Sequence, residues 1–331
     1  MRLSRIVFVA AAFNLAAITG VNADVKVITS IKPVHSLVSA VMEGVSKPGL
    51  IIEGAASPHS YSLKPSQAKE LQNADIVFWM GDDLETFLKK PIKAVAKNAA
   101  AIKLSNSHGI KKLKFREGGA FDAHDDHDDH GHDKHAKKDD HDDHDHDKHA
   151  KKDDHDDHGH GEFDPHVWLD PVNAKAIVHE IEEVLAKSDP NNASKYEKNA
   201  ERLMRELDAL VTEVRADLEP VHEKGFIVFH DAYQYFERRF DMSAVGSITV
   251  SPEVLPGAER IKELQDKVRN LSATCVFSEP QFEPKIVKTI IENTNAKTGV
   301  LDPLGASIKS GPDMYFTLIR DMANSLKACL S

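Results

Sequence analysis

"NASKYEKNAERLMRELDALVTEVRADLE", residues 192 to 219, decides the architecture. Tyr196, Ala200, Leu203, Leu207, Leu210, Val214 and Leu218 recur at spacings of three and four, the apolar stripe of a single long helix. At 1.5 Å per residue it spans about 40 Å, enough to cross two small lobes along their backs. On both sides of it, short β-rich runs alternate with amphipathic helical patterns, which predicts parallel sheets with helices on their faces. The first half offers "VKVITS" (25–30), "GLIIEG" (49–54) and "DIVFWMG" (75–81) as strands. The second offers "GFIVFH" (225–230), "AVGSIT" (244–249), "ATCVFSEP" (273–280) and "TGVLDP" (298–303). The expected fold is therefore α/β, with two parallel-sheet lobes (24–191 and 220–331) joined by a helical spine (192–219) and a ligand in the cleft between them.

Residues 1–23, "MRLSRIVFVAAAFNLAAITGVNA", place Arg2 and Arg5 ahead of an apolar stretch that ends in small residues, the pattern of a secretory signal cleaved after Ala23. No later apolar run approaches the ~18 residues of a membrane span. A soluble exported protein is the simplest reading. Cys275 and Cys329 make an even pair in an oxidising compartment, which favours a disulfide over catalysis or metal ligation. Closing that loop removes roughly 4 kcal/mol of chain entropy from the unfolded state in the simple polymer model.

Twelve of the nineteen histidines sit in one tract: His124, His127, His130, His132, His135, His141, His144, His146, His149, His155, His158 and His160. The tract repeats with a period of fourteen, "HDDHGHDKHAKKDD" returning as "HDDHDHDKHAKKDD". Nothing in it larger than alanine can enter a core, so residues 116–161 are expected to be a disordered, solvated insertion in the first lobe, able to bind metal. Residues 122–160 hold sixteen Asp against six Lys, and most of the chain's net charge of -11 resides there. Such local acidity argues against nucleic acid as a partner.

Outside the tract, His59 follows one predicted strand, while His230 and Asp302 end two others. All three fall at or just beyond the carboxyl ends of parallel strands, where open α/β sheets bind ligands. His166 lies in the proline-bracketed "DPHVWLDP". Three imidazoles with a carboxylate or water suit a tetrahedral site for a borderline-soft divalent ion, Zn2+ before any other, whereas oxygen-only ligation would suit calcium, magnesium or manganese. Taken singly, a loop histidine is more often a hydrogen-bonding surface residue, and His35, His179 and His222 are left with that role.

The segments "PHSYSLKPSQAKELQNADIVFWMG", "FDPHVWLDP", "FIVFHDAYQYFE", "SPEVLPGAERI" and "TCVFSEPQF" together resemble the zinc-specific substrate-binding proteins of bacterial ABC importers, the ZnuA type, over nearly all of the mature chain. The resemblance implies that His59, His166 and His230 are zinc ligands. In manganese-binding relatives the third position resembles Glu, so a histidine at 230 points to zinc. Some zinc-branch members place a Glu directly before the first histidine; here Pro58 stands there. For the fourth position Asp302, on or beside the metal, is the expected residue, ahead of a water or a tract histidine. The resemblance further implies a monomer diffusing in the periplasm, without membrane insertion, that serves an inner-membrane permease with its cytoplasmic ATPase. A secreted zinc hydrolase and a non-transport metal buffer or adhesin are the competing readings.

Overall fold

The computed structural model describes residues 24–116, 162–249, 252, 256–270, 275–283 and 285–331. The leader at 1–23 and all twelve tract histidines lie outside the described residues.

In the first lobe, β1 (Val27–Thr29), β2 (Gly49–Leu50), β3 (Ile76–Trp79) and β4 (Ala100–Lys103) form a parallel sheet in the order β2-β1-β3-β4. The intervening helices are α1 (Lys32–Val41), α2 (Pro65–Gln72) and α3 (Thr86–Val95). After residue 162 come α4 (Pro171–Ser188) and the spine α5 (Ala193–Leu218). The second lobe repeats the topology: β5 (Phe226–His230), β6 (Ala244–Thr249), β7 (Cys275–Ser278) and β8 (Lys297–Val300) run parallel in the order β6-β5-β7-β8. Its crossovers contain α6 (Gln234–Phe240), α7 (Ala258–Asn270) and α8 (Lys285–Ile291), and α9 (Met314–Leu330) closes the chain.

All seven anticipated strands form, although "GLIIEG" contributes only Gly49–Leu50 as a paired strand; the amides of Ile51 and Ile52 still donate to the carbonyls of Thr29 and Ser30. The strand that sequence reasoning missed is β4. Its residues, Ala-Ala-Ile-Lys, have weak strand preference, and it pairs only with β3 at an edge where three of its four residues are exposed.

The seven residues of the predicted stripe are the buried residues of α5. They enter one continuous core that also takes residues from α1, α4, α6 and α9 and from both sheets. A smaller cluster around Ile227, Phe229, Val276 and Ile290 packs the far side of the second sheet. Although α9 follows the second lobe in sequence, it packs on α5 and on α1 of the first. Cys329 near its end is disulfide-bonded to Cys275 at the start of β7, with Cα atoms 6.0 Å apart.

Further bonds join the segment 303–315 to the first lobe. The Lys32 ammonium, 6% exposed, donates to the carbonyl oxygens of Gly305, Ala306 and Ile308. Ser36 donates through Oγ to the Pro312 carbonyl at 2.9 Å, Trp168 through Nε1 to that of Pro303 at 3.0 Å, and the Tyr315 hydroxyl to that of Trp168 at 2.6 Å. An ammonium fits this role because it carries three donors that bare carbonyls can saturate.

In each sheet the chain leaves its first strand for one neighbour and then crosses back, so a switch point opens between β1 and β3 and again between β5 and β7. In the first lobe Glu85 fills it. Its carboxyl is fully buried, accepts the amide of Met80 at 3.2 Å and that of Gly81 at 2.9 Å, and takes the Ser30 hydroxyl. Burial, partly opposed by those hydrogen bonds, pushes its pKa up to about 7. A pKa raised above the unfolded value means that the folded state holds the proton more tightly, so this group's stabilisation is complete below about pH 4.5 and is lost as pH rises through 7. Glu85→Gln should therefore remove a pH-dependent loss of up to roughly 3 kcal/mol between pH 5 and 8, read as the difference between wild-type and variant urea midpoints across that range. Parallel pH profiles for the two proteins would contradict this account.

Candidate metal centre

His59, His166 and His230 converge. Each offers one nitrogen, and the three atoms lie within 4.8 Å of one another, the one such group of histidine, cysteine or acidic side chains among the described residues. His59 Nε2 stands 3.3 Å from His166 Nε2, and His230 Nε2 stands 3.5 Å from it. His166 and His230 are buried and His59 is half-buried.

Each histidine is aimed by its local structure. His59 lies in the turn after β2, its amide donating to Ser57 Oγ at 3.3 Å. His166 opens a short 3-10 turn, Val167–Leu169. Its amide and its ring Nδ1 both donate to Asp164 Oδ1, at 2.9 and 2.6 Å. His230 ends β5, and its Nδ1 donates to Glu279 Oε1 at 2.7 Å across the second switch point. With Nδ1–H held by a carboxylate, the lone pair of each of these two rings sits on Nε2, facing the centre.

The electrostatics follow from burial. His166 is held well below the ordinary histidine range by desolvation and then by the neighbouring His230. Burial also pulls His230 down, but the carboxylates of Glu279, Asp231 and Asp164 outweigh it and the net shift is upward. Asp164 is pushed up to about 7 by its complete burial, despite the donors from His166. A dication would relieve this arrangement, since it favours neutral imidazole nitrogen and charged carboxylates behind it.

Asp302, expected on or beside the metal, does not join the group. Its Oδ1 accepts the amides of Leu304 at 3.1 Å and Gly305 at 2.9 Å, and its Oδ2 that of Ala306 at 2.5 Å. The carboxylate caps the turn of "LDPLG", where Gly305 has φ +65° and an added Cβ would meet Met314 Cε at 2.2 Å. The remaining contact of Asp302 is the amide of Gln281, which donates through Nε2 to Oδ1 at 3.0 Å. His35 in α1, His179 on α4 and His222 after the spine all stand outside the cluster.

Sequence reasoning missed the carboxylates behind the ligands, although "FDPH" and "SEPQ" place Asp164 two residues before His166 and Glu279 just past β7. It also assigned Arg116 to the insertion. Arg116 is instead part of the folded body: its side chain is 12% exposed, and its guanidinium donates to both oxygens of Asp231 and, at 2.9 Å, to both of Glu237. A few residues earlier in the chain, an antiparallel bridge between Lys114 and Phe163 brings together the two ends of the insertion.

Two parallel-sheet lobes on a helical spine, with three imidazoles facing one another between them, define a metal-binding protein of the bilobed solute-receptor class. The family model described as "Zinc-uptake complex component A periplasmic" matches residues 27–329, and the chain belongs to this family, ZnuA. It is 58% identical over 305 residues to the high-affinity zinc uptake system protein ZnuA of Brucella suis biovar 1, covering 92% of this chain and 91% of that one. To the protein of the same name from Yersinia pestis it is 35% identical over 318 residues, 96% of this chain and 93% of the other. A zinc-bound crystal structure of a ZnuA deletion mutant superposes with a TM-score of 0.72 at 25% identity, covering 93% of this chain and 99% of that one.

Replacing Arg116 by alanine leaves Asp231 and Glu237 buried without their cation, which should cost about 3–5 kcal/mol of stability, measured by urea denaturation of the metal-free protein. A loss below 1 kcal/mol would show that water enters and solvates the two carboxylates.

Proposed function

We infer that the chain captures Zn2+ in the periplasm at His59, His166 and His230, and delivers it to an inner-membrane ABC permease driven by a cytoplasmic ATPase. The observation that carries this reading is the spacing of the nitrogens. A tetrahedral Zn2+ with Zn–N bonds of about 2.0–2.1 Å needs its donors about 3.3–3.4 Å apart, against separations of 3.3 and 3.5 Å here. Family membership supports zinc as the cargo.

The protein's own contribution is to present the donors in the right state. Asp164 and Glu279 fix the tautomers of His166 and His230, and the buried setting strengthens their hold on a cation. His59 and His166 come from the first lobe and His230 from the second, so the ion bridges the cleft and its release is coupled to separation of the lobes. A cavity of about 10 Å3 beside the three rings admits one water-sized group but no organic substrate, which favours carriage over hydrolysis. The exported chain, freed of residues 1–23, acts as a monomer. Among the described residues no helix is long and apolar enough to cross a membrane.

Single alanine substitutions at 59, 166 and 230 should each weaken zinc by 100-fold or more in competition with a chelator, since removing one of three imidazoles opens the coordination sphere. A variant that competes as well as wild type removes that residue from the ligand set.

The tract histidines, His124 to His160, take up further zinc more weakly and keep it near the cleft, because the insertion rejoins the fold close to His166. Because the ends of the tract are joined at the Lys114–Phe163 bridge, its histidines stay tethered beside the fold, at effective concentrations on the order of millimolar. Deleting 122–160 should lower the number of zinc equivalents in equilibrium dialysis while sparing the tightest one. Retention of every equivalent would rule out this role.

A further inference from the structure

A cavity of about 430 Å3, with no residue in common with the void beside the three histidines, lies between the start of α4, the segment that leads into the insertion, and α6. Lys111 and Lys112 form one wall and Asp170, at the cap of α4, another. Tyr235, Arg238 and Arg239 complete it from one face of α6, at spacings of three and four. Four cations thus surround a single carboxylate, in a chain whose net charge is -11.

That carboxylate is already engaged. Asp170 accepts Arg239 Nε at 2.6 Å and Nη2 at 2.7 Å, and its Oδ1 also takes the amide of Val172 at 2.8 Å. The other three cations have no counter-ion. Lys112 donates its ammonium to a neutral acceptor, Asn106 Oδ1, at 2.8 Å. Lys111 and Arg238 are exposed, and their side chains enter no hydrogen bond or ion pair with another described residue. Charges of one sign around a concave wall focus their field into it and draw a ligand of the opposite sign. A volume of this size takes a group far larger than a single small ion.

The chain carries a matching anion close to the rim. Lys111 and Lys112 lead directly to Lys114, whose bridge to Phe163 joins the two ends of the insertion. From 122 to 133 the sequence reads "DAHDDHDDHGHD", six Asp without a single Lys or Arg, and it begins six residues past Arg116. The stretch from 114 to 122 reaches at most about 26 Å when extended, enough to turn back onto a cavity that starts beside the bridge.

We propose that this cavity is the docking site of the chain's own Asp-rich segment, residues 122–133, whose carboxylates pair with Lys111, Lys112 and Arg238. An exposed ion pair is weak on its own, but tethering holds the segment at effective concentrations on the order of millimolar, so a few such pairs acting together suffice. Cations take the carboxylates and leave neutral imidazole alone, so the histidines that alternate with those Asp keep their nitrogens free as donors. The contact needs no metal, and so stands or falls apart from the zinc centre.

The test treats the full, metal-free chain with a water-soluble carbodiimide, which joins lysine amines to adjacent carboxylates, and maps the linked peptides by mass spectrometry. Lys114 stands at the root of the insertion but outside the cavity wall, so its links to 122–133 measure tethering alone. Lys111 should link to that segment several-fold more often than Lys114 at low salt. In about 0.5 M NaCl, where the screening length is on the order of 4 Å, it should fall to the Lys114 level. Arg238→Ala forms no link itself, yet should lower the Lys111 yield about threefold, the effect of losing one exposed pair, and leave that of Lys114 unchanged. Arg238→Glu should lower it further. Equal yields from Lys111 and Lys114 would overturn the proposal, as would a Lys111 yield indifferent to salt and to both variants. Circular dichroism checks the fold, and if a variant unfolds, the salt series on the wild-type chain decides alone. A mixture of chains with ordinary and heavy nitrogen identifies the occupant: links within one chain support the proposal, and links between chains would assign the cavity to a second copy instead.

Discussion

Three buried or half-buried imidazoles converge on one point, with His166 Nε2 at 3.3 Å from His59 Nε2 and 3.5 Å from His230 Nε2, and the rest of the site depends on holding those nitrogens there. Carboxylates behind the rings hold two of them. Asp164 and Glu279 each take the far proton of a histidine, and each is buried, with side chains at 0% exposure. A buried carboxylate is costly unless it is hydrogen-bonded or faces positive charge. Here the hydrogen bonds come from the histidines themselves, the amide and ring of His166 on Asp164 and the ring of His230 on Glu279, while Tyr235 fixes Asp164 through its backbone carbonyl at 2.8 Å and Arg116 brings positive charge to the neighbouring Asp231 and Glu237. The protein thus stores negative charge behind neutral donors, and a dication placed at the nitrogens is attracted by both.

The two lobes solve the same topological problem with different side chains. Each has a switch point at the carboxyl ends of its central strands. The first is stoppered by Glu85, whose burial favours a proton over an ion, while the second holds Glu279 buried behind His230, whose Nε2 faces the centre. The ligands from the first lobe come instead from the loop after β2 and from the segment that returns from the insertion. One sheet edge therefore supplies a fixed imidazole, and loops on the other side supply two that close upon it.

Much of this was legible in the sequence, and the limits have physical reasons. The stripe from Tyr196 to Leu218 specified the spine because helical periodicity depends only on local spacing. His59 and His230 could be placed because strand ends are readable, and His166 because prolines frame its loop. β4 escaped because an exposed edge built of alanine and lysine carries no burial pattern. Asp302 marks a different limit: a strand-end carboxylate can serve a metal or its own turn, and the sequence does not show where the amides of Leu304, Gly305 and Ala306, which it accepts here, will point. Arg116 adjoins a polar tract, and its partners lie 115 and 121 residues away, beyond any local signal.

The stapling of segment 303–315 to α1 and to Trp168 bears on how the cleft can open. Pro303 and Leu304 form part of the wall beside the ion, yet the segment they open is anchored to the first lobe, Pro303 through Trp168, Gly305 through Lys32 and Pro312 through Ser36. The first lobe's side also holds α6, through Arg116 on Asp231 and Glu237, Tyr235 on Asp164 and Arg239 on Asp170, so among the described residues the part of the second lobe without such ties is the far face of its sheet with α7 and α8. At the opposite end of β7 the disulfide fastens Cys275 to α9, which packs on the spine. A sheet pinned at the amino end of a central strand turns like a door on its hinge post, and the widest arc belongs to its carboxyl edge. That edge carries His230, whose neighbour Asp231 is paired with Arg116, so any rotation that withdraws this ligand must also part that ion pair.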